Sequence, residues 1–215
     1  MSHSPDSAAP RNSRSAWIAF GVIALVLAAI AFDTKVIHVG SEQDLRQQAF
    51  SPATWGQQEF PRVQEYIQTK AIDALALGPA VLADKDAAAK EFGTASTTGA
   101  IMMVKFTGVA GEAKSGVYEI KVDGLPEEIR LRLQTGPAIN GTDLRDAPGD
   151  IAFGSFKNQI EYQDAGSGLN NAMKAAVLAG TDTSALTGKT VEVIGAFRLI
   201  NPKMWLVTPV ALSVQ

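Results

Sequence analysis

The chain contains no cysteine. Disulfides are excluded, so a domain folding outside the cytoplasm must be held by its core alone. No thiol is present to carry a lipid. Histidine is nearly absent as well, with His3 and His38 the only two. A zinc site of the usual His/Cys kind therefore lacks its ligands. A histidine-based triad would have to use His38, just beyond an apolar segment. There is no G-x-S-x-G elbow and no G-x-x-x-x-G-K-[ST] phosphate loop, and no metal or cofactor is expected. Concentrated positive charge is missing too. Setting aside Arg11, Arg14 and Asp6, the chain beyond residue 32 carries 17 Lys+Arg against 21 Asp+Glu. That mildly acidic balance argues against nucleic acid as a partner. No internal repeat and no long low-complexity stretch is found.

What the chain does have is one long apolar run. Ala16 to Phe32 reads AWIAFGVIALVLAAIAF, 17 residues without a charge. At a helical rise of about 1.5 Å per residue it is close to the minimum for a bilayer core of roughly 30 Å. Arg11 and Arg14 precede it, and Asp33 and Lys35 follow, which favours an N-terminus left in the cytoplasm. Residues 1–15 are polar and read as a disordered cytoplasmic tail. Residues 16–32 are expected to be a single-pass inner-membrane anchor. The alternative is a signal peptide, because Ala29-Ile30-Ala31 fits a small-x-small cleavage site. Both readings put the remaining 183 residues outside the inner membrane, in the periplasm of a Gram-negative cell.

Residues 33–95 read as a helical segment. Ser41-Glu42-Gln43-Asp44 suggests an N-cap for a short helix to about Phe50. Phe60, Val63, Ile67, Ala71, Ala74 and Leu75 recur at helical steps, with Pro61 suited to the first turn and Gly78-Pro79 to a stop. Asp84 can cap a shorter helix, DAAAKEF, ending at Gly93. Phe50, Trp55 and Phe60 are expected to anchor the loop between helices onto the core.

Residues 96–215 change period. IMMVKFTGV (101–109), Val117 to Val122, and Ile129, Leu131 and Leu133 give three strands. Gly111-Glu112 and Asp123-Gly124 supply turn signals for an antiparallel meander. A long connection follows, with one amphipathic helix from about Ser167 to Leu178. Two more strands, TVEVIGAFRLI and MWLVTPVALSV, are joined by Asn201-Pro202-Lys203. The fold class is thus α+β, ending in a five-stranded OB-like Greek-key barrel with a helix between strands three and four.

TGPAINGTDLRD, IAFGSFKNQIEYQD and the ending GKTVEVIGAFRLINPKMWLVTPVALSV, with DTKVI, the FSPATW box and DAAAKEFG upstream, resemble a bacterial family of predicted periplasmic lipoproteins of unknown function. The resemblance covers roughly Asp33 to the C-terminus. It implies a place in the cell envelope and association with sugar ABC-type uptake systems, and it attaches no catalytic role to these motifs. The chain departs from the lipoprotein label in having no cysteine to lipidate.

The connection from Thr135 to Asn171 is where a site is expected. Arg145, Asp146, Asn158, Gln159 and Tyr162 supply a fork, a carboxylate, two amides and a phenol among glycines. Phe153 and Phe156 add an apolar platform. Such a set suits a polyol or a peptide backbone, and it equally suits a loop that satisfies its own backbone groups. Arg130 and Arg132 share a strand face, read as solvated or as an anion or partner surface. Pairs such as Asp143/Asp146 or Glu127/Glu128 could do acid–base work in a carboxylate-dependent envelope enzyme. The reading favoured is a non-enzymatic accessory or binding protein, with ABC transporter components or a small polar ligand as partners. A purely structural scaffold is the third reading.

Overall fold

The computed structural model describes residues 17, 22–27, 30 and 50–215. Residues 17, 22–27 and 30 are helical. The rest of the expected anchor, the tail 1–15, the short helix from Ser41 and the DTKVI motif lie outside the described residues. Among the described residues, no helix is long and apolar enough to cross a membrane. Phe50–Gln215 forms one compact unit.

Three helices lead in. Ser51 caps α1 (Pro52–Lys70), its hydroxyl accepting from Thr54 N, with Pro52 at the start of the helix. This corrects the expected boundary. α1 begins eight residues before Phe60, so Trp55 and Phe60 lie on the helix, not in a loop. Pro61 lies inside α1, on its exposed face, where a carbonyl left without its N–H partner can be hydrated. Phe60, Val63 and Ile67 form the buried stripe, as their spacing predicts.

After a two-residue strand β1 (Ile72–Asp73), α2 (Ala74–Ala83) is capped by Asp73. Gly78-Pro79 does not stop it. Gly78 is there for packing, because a Cβ would fall 2.9 Å from Leu125 Cδ1. α3 (Lys85–Phe92) starts as expected, with Asp84 Oδ1 accepting from Asp86 N and Ala87 N, and ends at Gly93.

β2 (Gly93–Thr94) pairs with β3 (Ile101–Lys114). β4 (Val117–Lys121) and β5 (Arg130–Gln134) complete the meander. β3 runs past Gly111-Glu112, where the ladder bulges between Ala110 and Ala113. The turn itself is at Ser115 and Gly116, both at positive φ (53° and 74°). The glycine signal thus marked a bulge.

β6 (Thr190–Arg198) and β7 (Met204–Val214) close the barrel. β6 pairs antiparallel with β3 and with β7, and β7 lies parallel to β5. The order β3-β4-β5-β7-β6, back to β3, is that of a closed five-stranded Greek-key barrel. Met102, Val104, Phe106, Tyr118, Leu131, Leu133, Val193 and Trp205 fill it. Trp205 stacks on Phe197 at 4.7 Å.

A second core covers the outside of the barrel. Ile101 and Met103, on the other face of β3, meet Val63 and Ile67 of α1 and Leu169 and Met173 of α5 (Gln159–Met173). This explains why IMMV is apolar at every position: both faces of that stretch are buried. α5 starts eight residues before the expected Ser167, and the chain then widens into a π-type turn, Lys174–Leu178. Gly166 and Gly168 read as breakers but lie at close approaches. A Cβ on Gly168 would stand 2.2 Å from Pro52 O, and one on Gly56 2.3 Å from the Gly168 carbonyl. α1 and α5 touch backbone to backbone there.

Candidate functional site

The connection between β5 and α5 carries a single helical turn, α4 (Asp143–Asp146). It brings Asp143, Arg145 and Asp146 against the end of β6. Arg198, the last residue of β6, uses all five of its N–H donors. Nε donates to Asp143 Oδ1 at 3.2 Å, and Nη1 to Ser96 Oγ and Thr98 Oγ1, both at 2.7 Å. Nη2 donates to Asp146 Oδ2 at 2.7 Å and to Thr142 Oγ1 at 3.3 Å. The other oxygen of Asp146 accepts from Arg145 Nε at 2.8 Å and pairs with its Nη2 at 2.7 Å. Arg145, 6% exposed, also donates from Nη1 to Tyr162 O at 2.7 Å, and its guanidinium lies 3.6 Å over the Tyr162 ring.

The result is a chain of alternating charge, Asp143–Arg198–Asp146–Arg145, whose formal sum is zero. Its members are largely out of water, at 12%, 15%, 13% and 7% side-chain exposure. Burial pushes the Asp143 carboxyl above its ordinary range, and the Arg198 charge opposes that shift without cancelling it.

Beside this network is an open cleft of about 500 Å³. Ser96, Thr97 and Thr98 form one side, and Arg145, Asp146 and Arg198 the base. Gln159, Tyr162 and Phe153 form the other side. Gln159 is exposed, and its side chain makes no hydrogen bond among the described residues. The Tyr162 hydroxyl makes only a long contact, 3.4 Å, to Ile151 O. Tyr162 anchors an aromatic row. Phe153 meets it edge-on at 5.6 Å, Phe156 lies tilted against it at 5.4 Å, and Trp55 and Phe50 pack in turn on Phe156.

Of the five residues singled out from sequence, Arg145, Asp146, Gln159 and Tyr162 line this cleft. Asn158 does not. Its side chain caps α5, Oδ1 accepting from Glu161 N at 2.9 Å, while Glu161 reaches back to Lys157 N. This is a capping box displaced by one residue, because Glu161 accepts from Lys157 N, before the cap, rather than from Asn158 N, and the Asn-x-x-Glu spacing could have revealed it. Sequence reasoning missed Arg198 and the hydroxyls of Ser96, Thr97, Thr98 and Thr142. Ser96-Thr97-Thr98 is a visible hydroxyl run before a strand, but nothing local ties it to Arg198, about a hundred residues on. The carboxylate pair Asp143/Asp146 is held on Arg198, and Asp150 pairs with Arg62 on the surface at 2.8 Å. Among the described residues, no group of three or more His, Cys, Asp or Glu could hold a metal ion.

A larger opening of about 820 Å³ lies beside the Lys174–Leu178 turn. Lys174 is its only charged lining residue, and the ammonium donates to Pro137 O at 2.7 Å. It therefore presents less chemistry than the α4–α5 cleft.

The closed barrel with a helix between its third and fourth strands defines an OB-fold protein, to which α1 and α5 add an outer layer. Consistent with this, the chain is similar to the crystal structure of an OB-fold protein from Thermotoga maritima MSB8. The TM-score is 0.62 and the identity 17%, over 78% of this chain and all of that one. At that identity the likeness concerns the fold alone. The chain belongs to the family described as predicted periplasmic lipoprotein (DUF2291), whose profile matches residues 20–213. Membership supports a periplasmic location. No curated protein matches the chain.

Proposed function

We propose that this chain is a non-enzymatic accessory protein of the periplasm that holds a small uncharged polar ligand in the α4–α5 cleft and serves a sugar ABC-type uptake system. The observation that carries this reading is the self-neutralised network at the base of the cleft. Arg145 and Arg198 are already matched by Asp146 and Asp143. An anionic ligand would have to compete with those carboxylates. The groups left to address a ligand are the Thr97 hydroxyl, the O–H donors of Ser96 and Thr98 (whose oxygens accept from Arg198), the Gln159 amide, and the Phe153 and Tyr162 rings. Hydroxyls and amides both donate and accept, as a polyol does, and aromatic faces suit the apolar side of a sugar ring. The same pairing supports a non-catalytic role, because the carboxylates a hydrolytic site would use are held by arginines. The link to sugar uptake rests on the family resemblance.

The test is affinity purification of the full-length chain from native membranes. Co-purification of a transporter permease or its solute-binding protein is expected. A clean pull-down together with unchanged sugar uptake in a deletion strain contradicts the reading. N-terminal sequencing of the mature protein decides how Ala16–Phe32 acts in export: a start at Met1 or Ser2 means a retained anchor, and a start at Phe32 a cleaved signal.

A further inference from the structure

Asn140-Gly141 is the only Asn-Gly pair in the chain, and the fold leaves it exposed. It lies in the connection between β5 and α4 and lines an opening of about 400 Å³. Gly141 has a φ of 98°, a conformation that strains any residue carrying a Cβ. Glycine is therefore needed here, and no side chain screens its backbone nitrogen. The surrounding hydrogen bonds hold the backbone on either side. Gln134, buried, accepts from Asn140 N at 3.1 Å and donates to Asn140 O at 3.2 Å. Asn170 Nδ2 donates to Gly141 O at 2.9 Å. The Asn140 side-chain amide and the Gly141 N–H are left over, and neither makes a hydrogen bond among the described residues.

An asparagine is thermolabile because the next residue's nitrogen can attack its amide carbon. The attack is fastest where that nitrogen is unbonded and unscreened. The other asparagines between Phe50 and Gln215 lack this combination. Asn158 is held in the α5 cap, its Oδ1 accepting from Glu161 N at 2.9 Å. Asn170 is 5% exposed and its amide is spent on Gly141 O. Asn171 is exposed, but Ala172 follows it inside α5, where the N–H serves the helix. Asn201 precedes Pro202, which has no N–H.

We infer that Asn140 is a modification site, at which the folded protein deamidates through a cyclic imide closed by Gly141 N. Base removes the Gly141 N–H proton, and the nitrogen forms a bond to Asn140 Cγ. The Cγ–Nδ2 bond breaks, and ammonia leaves with a proton from solvent. Water then opens the five-membered imide at either carbonyl, giving aspartate or isoaspartate, with no change of oxidation state. Both products put a new carboxylate in the opening that Arg132 and Arg198 also line. In the isoaspartate the chain runs through Cγ, and the carbonyl that Gln134 holds becomes part of a free carboxylate. One extra backbone atom then separates that clamp from α4, which carries Asp143 and Asp146. The site is independent of whatever the α4–α5 cleft binds.

The test is timed incubation of the full-length chain in mildly alkaline buffer, once folded and once in urea, followed by tryptic digestion and mass spectrometry. Labelling with an isoaspartyl methyltransferase identifies the isoaspartate product. The peptide 133–145 is expected to gain the mass of one NH2-to-OH exchange and to take the methyl label. In the folded chain the conversion should be at least about tenfold faster than at Asn158, Asn170 or Asn171, and within about tenfold of its own rate in urea. Asn140→Gln, which would have to close a slower six-membered ring, should abolish both signals in that peptide. The inference is overturned if Asn140 stays intact in the folded chain while it converts in urea. It is equally overturned if Asn171 keeps pace with it, or if the mass gain persists in Asn140→Gln.

Discussion

Replacing Arg198 with methionine would remove the cation that Asp143 and Asp146 share. Both carboxylates are nearly out of water, at 12% and 13% side-chain exposure, so solvent cannot take over the lost interaction. Breaking a buried pair by deleting one partner costs about 3–5 kcal/mol, because a charge is left uncompensated. Asp146 keeps Arg145, so the lower end, about 3 kcal/mol, is the reasoned value. For a domain of this size that corresponds to a melting temperature roughly 6–12 °C lower. The effect depends on pH with a definite sign. The Asp143 carboxyl is already raised by burial, and loss of Arg198 raises it further. The folded protein then holds that proton more tightly than the unfolded chain does. The resulting stabilisation is fully present below the ordinary carboxylate range and is lost as pH rises through the raised folded value. The penalty of Arg198→Met should therefore shrink in acid, and a second change, Asp143→Asn, should recover part of it at neutral pH. The assay is urea denaturation of the full-length chain followed by tryptophan fluorescence, since Trp205 stacks on Phe197 next to Arg198. A loss under about 1 kcal/mol, or a loss equal in acid and at neutral pH, would refute the reasoning.

Other consequences follow from the same geometry. Asp143→Asn alone should leave stability at neutral pH within about 1 kcal/mol of the wild type or improve it, since burial disfavours the charge and an amide oxygen can still accept from Arg198 Nε; a large loss by urea denaturation would contradict this. Gly168→Ala sets a Cβ 2.2 Å from Pro52 O and should cost about 2–3 kcal/mol or more by forcing α1 from α5, read by calorimetry. Asn158→Ala removes the α5 cap and should cost about 1 kcal/mol, with faster amide exchange confined to the first turn of that helix.

The barrel was legible because strand alternation is a local signal. Tyr118, Ile120, Leu131 and Leu133 point inward, and Glu119, Lys121 and Arg130 outward, at the spacing a pleat requires. Helix ends were less legible, because the residues read as breakers had tertiary roles. Pro61 and Pro79 lie on exposed faces where a lost hydrogen bond is tolerable, and Gly78 and Gly168 make room for another element. Local composition pointed to Arg145, Asp146, Gln159 and Tyr162 because they sit in one connection. Arg198 stayed hidden because its role comes from closure of the barrel, which joins Ser96, Thr142 and Asp146 to the end of β6 from positions 52 to 102 residues away. Asn158 was misread because a cap and a ligand contact use the same residue type.

The most direct measurement for the central claim is titration of neutral monosaccharides into the full-length chain and into Gln159→Ala and Thr97→Val variants, with a uronate as the anionic comparison. Saturable binding of at least one neutral sugar, weakened by both variants and not exceeded by the uronate, is the predicted result. Absence of binding by every neutral sugar, or preference for the uronate, would contradict the reading of the α4–α5 cleft as a neutral polar site.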